Sequence, residues 1–282
     1  MENTENILSK LLEEAKGFYG KNDFEKSEKI ANRLVQKSKE SNNTSFELSG
    51  LIILGNIVLE KGEYEKALSY YLKAEKLAKL NSDYANLLVI FSNIAVIYTQ
   101  LKEEHKALEY NLKLVELIKI SGNKTKLLTL YNNIGAIYKN LQEYEKALEY
   151  LNYALEISKE LKNEEYTKIL FHNLGDTYFS LSNIDLASEY FFRSLNICEN
   201  NKDTKGIILN LIKIARAFHA KKDFDRALEF EEKAVKLAEK SDNKSLLIDL
   251  YKSLYERYEN IGDYKAAMKY YKNYQKILHI SQ

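Results

Sequence analysis

The chain of 282 residues carries 42 Lys and Arg against 41 Asp and Glu, so its formal net charge is +1. This balance argues against a dedicated binder of nucleic acid or of anionic membranes, which would carry an excess of basic residues. Hydrophobic residues make up 45% and charged residues 29%, as in a folded globular protein. The single cysteine, Cys198, excludes an internal disulfide framework and a cysteine-rich metal site.

The N-terminal segment predicts where the protein resides. Residues 1–5 are polar and acidic, without the basic region and apolar stretch of a signal peptide. No stretch of the sequence approaches the ~18 consecutive apolar residues that a membrane-spanning helix needs. We therefore expect a soluble cytoplasmic protein that has no membrane partner.

One pattern repeats along the chain with a period of 40 residues. Its first position, which we call the small-residue position, is small in all but the last copy: Ala15, Gly55, Ala95, Gly135, Gly175, Ala215 and Tyr255. An aromatic residue or valine follows three residues later, and alanine follows twelve residues later in six copies. We predict seven units, at about residues 5–40, 44–80, 84–120, 124–160, 164–200, 204–240 and 244–280, in a single domain that spans 1–282.

Each unit is predicted to contain two helices. In the fourth unit, the first helix is marked by apolar residues at i, i+3, i+4 and i+7 from Tyr131 to Tyr138, and the second by Ala147, Leu151 and Ala154. The absence of proline permits one helix to follow another with few hard stops. In chain order, polar breaks that suit helix caps and turns fall at 42–43, 81–83, 122–123, 201–203 and 242–243.

The segments 133–138 (NIGAIY) and 143–148 (EYEKAL) resemble the tetratricopeptide repeat, and the resemblance extends over essentially the whole chain. It implies an all-α fold, a right-handed superhelical α-solenoid of seven helix-turn-helix units. Three features depart from the family. The period exceeds the usual ~34 residues, the tryptophan position holds Leu, Phe or Tyr, and the closing proline is absent.

The resemblance also implies a concave groove lined by the first helix of each pair. Two residues before the small-residue position, the three central units carry Asn93, Asn133 and Asn173. An asparagine side chain offers both a donor and an acceptor, so this ladder would bind the backbone of an extended peptide. The opposing interpretation is purely structural, with each amide bonded to a neighbouring helix.

Charged and polar residues flank this ladder. Asn132, His172 and Asp176 lie in the middle of the expected groove, and Lys213, Arg216 and Lys252 lie toward its C-terminal end. The basic set would suit a carboxylate ligand. We favour the simpler interpretation, in which Asp176 and its acidic neighbours neutralise these cations in exposed ion pairs.

The last helix, near residues 264–280, is expected to leave an apolar face uncovered. Ala267, Tyr271, Tyr274 and Leu278 would pack on the partner helix, whereas Tyr270, Ile277 and Ile280 would have no following unit to cover them. This end would then form a homodimer, or it would continue into a further helix of a longer protein.

Sequence signals of catalysis are missing. The chain has no phosphate-binding loop, no His-Glu-x-x-His and no paired cysteines, and its four histidines lie in separate units. We expect no enzymatic activity, no catalytic residue, no metal and no cofactor.

Three functions follow, in order of preference. The first is a non-enzymatic scaffold that binds an extended peptide or a partner protein in the groove. The second is the sensory or dimerisation module of a bacterial signalling protein with a kinase or diguanylate cyclase domain, because the closing repeat resembles those arrays. The third is a peptide-responsive regulator of a response regulator.

Overall fold

The computed structural model describes residues 4–241 and 244–280, except for the side chains of His279 and Ile280. The described residues form fourteen helices and no strand. The helices are α1 Thr4–Gly20, α2 Phe24–Glu40, α3 Thr44–Glu60, α4 Tyr64–Leu80, α5 Tyr84–Gln100, α6 Glu104–Ser121, α7 Lys124–Asn140, α8 Tyr144–Glu160, α9 Glu164–Ser180, α10 Ile184–Asn200, α11 Thr204–Ala220, α12 Phe224–Ala238, α13 Lys244–Asn260 and α14 Tyr264–Ile280. None of them combines the length and apolar character that crossing a membrane requires.

The chain divides into two compact units, residues 1–141 and 142–282. In the first unit, each helix from α1 to α7 packs against the next, and α1 also contacts α3. In the second unit, α8 to α14 pack in the same sequential way. Successive helix pairs therefore form a repeat array, the arrangement of an α-solenoid, and the predicted all-α fold is confirmed. The expectation of one continuous domain stays a prediction.

The turns between helices explain why the period is so regular. A residue in the left-handed region, with φ between +50° and +82°, recurs every 20 residues from Asn22 to Lys222 and again at Gly262. Most of these residues are not glycine, so the backbone bends at positions where a Cβ is mildly unfavourable. The following residue caps the next helix where it is Asp or Asn, as the breaks at Asn43, Asp83 and Asn123 predict. The predicted break at 242–243 lies outside the described residues.

Small residues at the small-residue position let the two helices of a pair approach closely. A Cβ added to Gly55 would lie 2.8 Å from the ring of Tyr71 on α4. Tyr71 is fully buried, so its ring packs directly on the backbone of α3. Glycine is required here by the close approach, and it positions the tyrosine hydroxyl at the edge of the pair.

The expectation that Tyr270 lies uncovered at the end of the array is wrong. Tyr270 is 5% exposed, its ring stacks on Tyr258 with centroids 5.6 Å apart, and its hydroxyl donates to Glu232 at 3.0 Å. Tyr270 and the buried Ala267 are three residues apart, so both face α13. Ile277 is half-buried against the same core, and the side chain of Ile280 lies outside the described residues.

The exposed apolar residues at this end are different ones. Tyr264, Met268 and Tyr271 are 71%, 52% and 39% exposed. Their spacing of four and three residues places them on one face of α14. The prediction that Tyr271 packs away from solvent is therefore corrected, although its ring lies 5.2 Å from that of Tyr255.

Candidate functional site

Three side chains recur at each junction between consecutive helix pairs, and we call each set a junction triad. The triad consists of the residue after a small-residue position, the residue sixteen after that position on the second helix, and the residue two before the next small-residue position. Four triads lie wholly within one unit and have a polar member in the third place. They are Asn56, Tyr71 and Asn93; Val96, Asn111 and Asn133; Asp176, Phe191 and Lys213; and Arg216, Glu231 and Ser253.

The first triad is closed by hydrogen bonds. The Tyr71 hydroxyl donates to Asn56 Oδ1 at 2.6 Å, and Asn93 Nδ2 donates to the Tyr71 hydroxyl at 3.0 Å and to Asn56 Oδ1 at 3.3 Å. Burial raises the pKa of Tyr71 well above its usual value, so the hydroxyl keeps its proton. Asn93 therefore serves the structural role that the sequence left open.

The second triad is open. Asn111 is buried, but its Nδ2 donates to the carbonyl oxygen of Ala107 at 2.7 Å, so the side chain bends back onto its own helix. Val96 is 51% exposed. Asn133 is exposed, and its side chain forms no hydrogen bond with the described residues. Among the described residues no hydrogen bond joins the three side chains, and a cavity of about 800 Å³ lies among α5, α6 and α7.

The walls of this cavity are mixed. Apolar lining comes from Leu88, Val89, Val96, Leu114, Ile118, Leu130 and Ala136. Polar lining comes from Asn93, Asn133, Thr129, Lys126, Glu104 and Asn140. Asn140 Nδ2 donates to Glu104 Oε1 at 2.9 Å, while Glu104 Oε2 is buried without a hydrogen-bond partner among the described residues. A largely apolar cavity of this size with a few polar groups is typical of a ligand site.

Two residues that line the cavity, Glu104 and Asn111, stand where some of the other repeats carry rings. The triad position that holds Asn111 is Tyr71 one repeat earlier and Phe191 two repeats later. The position of Glu104 at the start of the second helix is aromatic in five of the other six copies, including Tyr64 and Tyr144. Smaller polar side chains thus replace rings at both places. The Asn111 position also lacks a ring in three other copies, so the sequence alone does not single out this junction.

The third triad, in the second unit, is closed by an ion pair. Lys213 Nζ donates to Asp176 Oδ1 at 2.7 Å and to Oδ2 at 2.9 Å. His172 Nε2 lies 3.6 Å from Asp176 Oδ2, and its ring lies 5.9 Å from that of Phe191. The structure thus brings His172, Asp176 and Lys213 together. It pairs the lysine internally, which is the interpretation favoured from sequence.

The remaining groove residues do not converge on one point. The guanidinium of the exposed Arg216 lies 4.5 Å from the ring centroid of Phe179. Lys252 Nζ is exposed and lies 3.9 Å from Glu256. Asn132 on α7 and Asn173 on α9 are both half-buried. Of the asparagine ladder, Asn93 and Asn133 line the cavity of the first unit, and Asn173 lies in the second unit.

The fourth triad holds a buried acid that sequence reasoning missed. Glu231 is 5% exposed, Ser253 Oγ donates to its Oε1 at 3.4 Å, and Arg257 Nε lies 2.8 Å from its Oε2. Burial raises the pKa of Glu231 to about 7, and the positive charge of Arg257 opposes that rise. Burial also lowers the pKa of Arg257. Among the described residues, no cluster of three His, Cys, Asp or Glu could hold a metal ion.

Comparison with family models gives matches to two models, each described as "Tetratricopeptide repeat". One matches residues 126–200 and 169–240, and the other matches residues 48–79. Together the matched stretches span just over half of the chain. Comparison with the curated protein sequences gives no match.

Several solved structures have a similar fold. A signal transduction ATPase with a tetratricopeptide repeat sensor from Pyrococcus horikoshii is 20% identical, with a TM-score of 0.72 over 96% of this chain and 42% of that one. The C-terminal part of a repeat-containing protein from Cytophaga hutchinsonii is 17% identical, with a TM-score of 0.69 over 94% and 95%. The quorum sensor NprR from B. thuringiensis is 16% identical, with a TM-score of 0.60 over 99% and 89%. At these identities the likeness shows the fold alone.

Proposed function

The chain belongs to the tetratricopeptide repeat family, and from this premise we propose that it is a non-enzymatic scaffold that binds an extended peptide segment of a partner protein. The binding site in this proposal is the cavity at the second junction triad, in the first unit. The observation that carries it is the open triad: the Asn133 amide lines a cavity and has no hydrogen-bond partner in the described part of the chain, whereas Asn93 and Lys213 at the equivalent position are bonded within the protein.

Exposed apolar side chains support the proposal. Val89 and Val96 are both more than two-fifths exposed, and their spacing of seven residues places them on one face of α5. Both line the cavity. Apolar residues that adjoin a concave site typically mark a binding surface, because a ligand would remove them from water. Burial of the exposed parts of both valines would contribute about 1–3 kcal/mol to binding.

The polar groups of the cavity suit a peptide backbone. Asn133 offers one donor group and one acceptor, and the buried Glu104 Oε2 offers a further acceptor. An extended peptide presents N–H and C=O groups at regular intervals, so it would meet both kinds of partner. Lys126 and Glu104 have opposite charges, so the cavity favours no strongly charged ligand.

Of the three asparagines in the ladder, this proposal assigns peptide binding mainly to Asn133. Asn93 is held by Tyr71 and Asn56, so its removal would disturb the fold as well as any ligand. Asn133 is the better residue to test. Asn132, His172, Asn173, Asp176, Lys213, Arg216 and Lys252 remain proposed groove residues outside this cavity or at its margin.

A selection from a displayed library of random dodecamer peptides tests the proposal. The affinity of a selected peptide is measured by fluorescence polarisation with the full chain. Val96→Asp places an unpaired charge in the cavity wall, so we expect a loss of affinity of at least about tenfold. Leu80→Asp is the matched control, because Leu80 is 78% exposed and lies outside the cavity. Equal affinity in wild type and Val96→Asp, with unchanged helicity, would contradict the proposal.

A second candidate function is homodimerisation through the C-terminal end, and the exposed face of Tyr264, Met268 and Tyr271 favours it. This face replaces the predicted set of Tyr270, Ile277 and Ile280. Sedimentation equilibrium of the wild type beside Met268→Glu tests it. A concentration-dependent dimer that Met268→Glu dissociates is expected, and a monomer at every concentration would rule it out.

The signalling alternatives remain compatible with this cavity. A peptide-responsive regulator would use the same site, and the quorum sensor NprR has a similar fold. That likeness concerns the fold, and the peptide selection described above tests the ligand. A cytoplasmic location is likewise part of the proposal.

A further inference from the structure

One acidic residue in the wall of the cavity has no counter-ion. Glu104 lies in the first turn of α6 and lines the cavity. Its Oε1 accepts a hydrogen bond from Asn140 Nδ2 at 2.9 Å, whereas its Oε2 is buried and has no hydrogen-bond partner among the described residues. In the described part of the chain, no Lys, Arg or His forms an ion pair with this carboxylate. A buried carboxylate oxygen without a partner is rare and destabilising, so Glu104 is a candidate for a ligand contact.

The two acids that are buried among the described residues show how this protein satisfies such groups. Glu75 is buried, and its Oε1 lies 2.6 Å from Nζ of Lys79. Glu231 is buried as well, and its Oε2 lies 2.8 Å from Nε of Arg257. Each carboxylate therefore has a cation of the chain beside it. At Glu104 this place is open toward the cavity.

We propose that the cavity binds a cationic group of the partner peptide, an ammonium or a guanidinium group, at the carboxylate of Glu104. The inference rests on the proposed peptide-binding function and deepens it by naming the chemistry of one ligand group. The ligand provides the counter-ion that Lys79 and Arg257 provide to the buried acids. The terminal torsion of a glutamate side chain is soft, so a small rotation turns Oε2 toward a donor in the cavity.

A neutral donor would satisfy Glu104 less well than a cation. Asn140 already provides an amide donor to Oε1. The cavity is largely apolar, so a ligand that fills it removes water from the carboxylate. A charge that loses its water is destabilised unless an opposite charge takes the place of the water. Glu232 in the second unit accepts from two tyrosine hydroxyls instead, so a neutral ligand donor is the competing outcome of the test.

Lys126 also lines the cavity, but it lies too far from Glu104 to neutralise it. Lys126 is near the start of α7, and Asn140 is its last residue. The helix rises about 21 Å between these two residues at 1.5 Å per residue, and Asn140 is bonded to Glu104. This separation exceeds the ~8 Å over which charges act at physiological ionic strength. The cavity therefore has a negative end that suits one cationic group of a peptide with little other charge.

The selected peptides provide the first experiment. Peptides enriched on wild type should share Lys or Arg at one position, or should depend on a free N-terminal amine. Replacing that residue by methionine, or acetylating the amine, should weaken binding to wild type at least about tenfold, because a charge-assisted hydrogen bond is lost. Which of the two changes weakens binding identifies the source of the cation. Unchanged affinity after both changes would overturn the inference.

A variant of the protein supplies the other half of this experiment. Glu104→Gln keeps the shape of the side chain and removes its charge, so it should bind the charged and the neutral peptide equally. Glu103→Gln is the matched control, because it removes the same charge one residue earlier, from a side chain that pairs with Lys106 and does not line the cavity. It should keep the tenfold preference for the charged peptide. Equal losses of this preference in both variants would show an effect of net charge alone and would overturn the inference.

Two small probes separate the inference from the proposed function. Butylammonium and 1-butanol are titrated into the full chain, and binding is followed by NMR at the backbone amides of Asn133 and Ala136, which line the cavity. We expect butylammonium to bind at least about threefold more tightly than 1-butanol, and Glu104→Gln to abolish this preference. Equal binding of the two probes to wild type would overturn the inference.

The two proposals can fail independently. If butylammonium binds as described but no peptide is enriched, the cation site stands and the peptide function fails. Enriched peptides that do not depend on a cationic group, yet lose affinity in Val96→Asp, would overturn the cation site and leave peptide binding intact.

Discussion

The ring of Phe191 packs so tightly on Gly175 that a Cβ at this glycine would lie 2.5 Å from the ring. Phe191 is 1% exposed, so the ring cannot move into solvent without uncovering the core. The same relationship joins Tyr71 and Gly55 in the first triad. In the pairs α3/α4 and α9/α10, the distance between the two helices is therefore set by a ring that rests on bare backbone.

Gly175→Ala is expected to destabilise the protein because the new methyl group overlaps the ring of Phe191. Overpacking of this kind costs about 1–3 kcal/mol, which should lower the thermal midpoint measured by circular dichroism. Gly17→Ala is the matched control, since a Cβ there meets nothing within 4 Å. That substitution should stabilise α1 by about 0.5–1 kcal/mol. A midpoint for Gly175→Ala at or above that of wild type would contradict the packing described.

Lys162→Gly is expected to raise stability, because Lys162 adopts φ +50° in the turn between α8 and α9. A left-handed backbone conformation costs a non-glycine residue about 1–2 kcal/mol. Glycine avoids this cost but loses more conformational entropy on folding, which offsets part of the gain. We expect a net gain of roughly 0.5 kcal/mol, visible as a higher urea midpoint. Lys159→Gly, inside α8, should instead lose about 1 kcal/mol.

Glu103→Asp is expected to add a missing helix cap. Glu103 precedes α6 but makes no side-chain bond to its N-terminus. Asp23 at the equivalent place accepts from the backbone of Lys26 and also pairs with its ammonium group at 2.8 Å. Glu103 pairs with the ammonium group of Lys106. The shorter acid should keep this ion pair and gain about 0.5–1 kcal/mol from the added cap. The reverse change, Asp23→Glu, should lower the thermal midpoint. If both variants had the same midpoint as wild type, this account would be contradicted.

Glu231 is expected to make stability depend on pH. Burial raises its pKa from 4.5 to about 7, so between these values the folded chain holds a proton that the unfolded chain has lost. Its contribution to the free energy of unfolding therefore falls as pH rises through this window. Glu231→Gln removes this titrating group, and all other titrating groups are the same in the two proteins. The thermal midpoint of wild type, relative to that of Glu231→Gln, should decrease as the pH is raised from 5 to 8. Parallel curves of midpoint against pH for the two proteins would contradict the raised pKa.

The fold could be predicted because its causes are local. Small residues at Gly55 and Gly175, a valine or an aromatic residue three positions later, and capping residues such as Asn43 and Asp83 are each visible in sequence at a fixed period. Helix pairs that begin 40 residues apart follow directly from them. The prediction for Tyr270 is wrong because the expected packed face of α14 continues from Ala267 to Tyr271 at i+4, whereas the buried face continues from Ala267 to Tyr270 at i+3.

The open site required knowledge of contacts between helices. The asparagine ladder is visible in the sequence, but its pattern predicts the same role for Asn93 and Asn133. Only the structure shows that Tyr71 occupies the first amide and that Asn111 turns away from the second. The difference depends on a residue sixteen positions after Ala95, on another helix. A pattern read one helix at a time does not reveal it.

The contrast between the first two triads has a mechanical consequence for residues 4–141. At the first, a buried phenol and two amides connect α3, α4 and α5. At the second, Val96, Asn111 and Asn133 provide no such connection. A tensile load along this unit would therefore extend it first at the cavity, where no such hydrogen bonds resist separation of the helices. A ligand bound in the cavity would brace this junction, so the unit would become stiffer when the site is occupied.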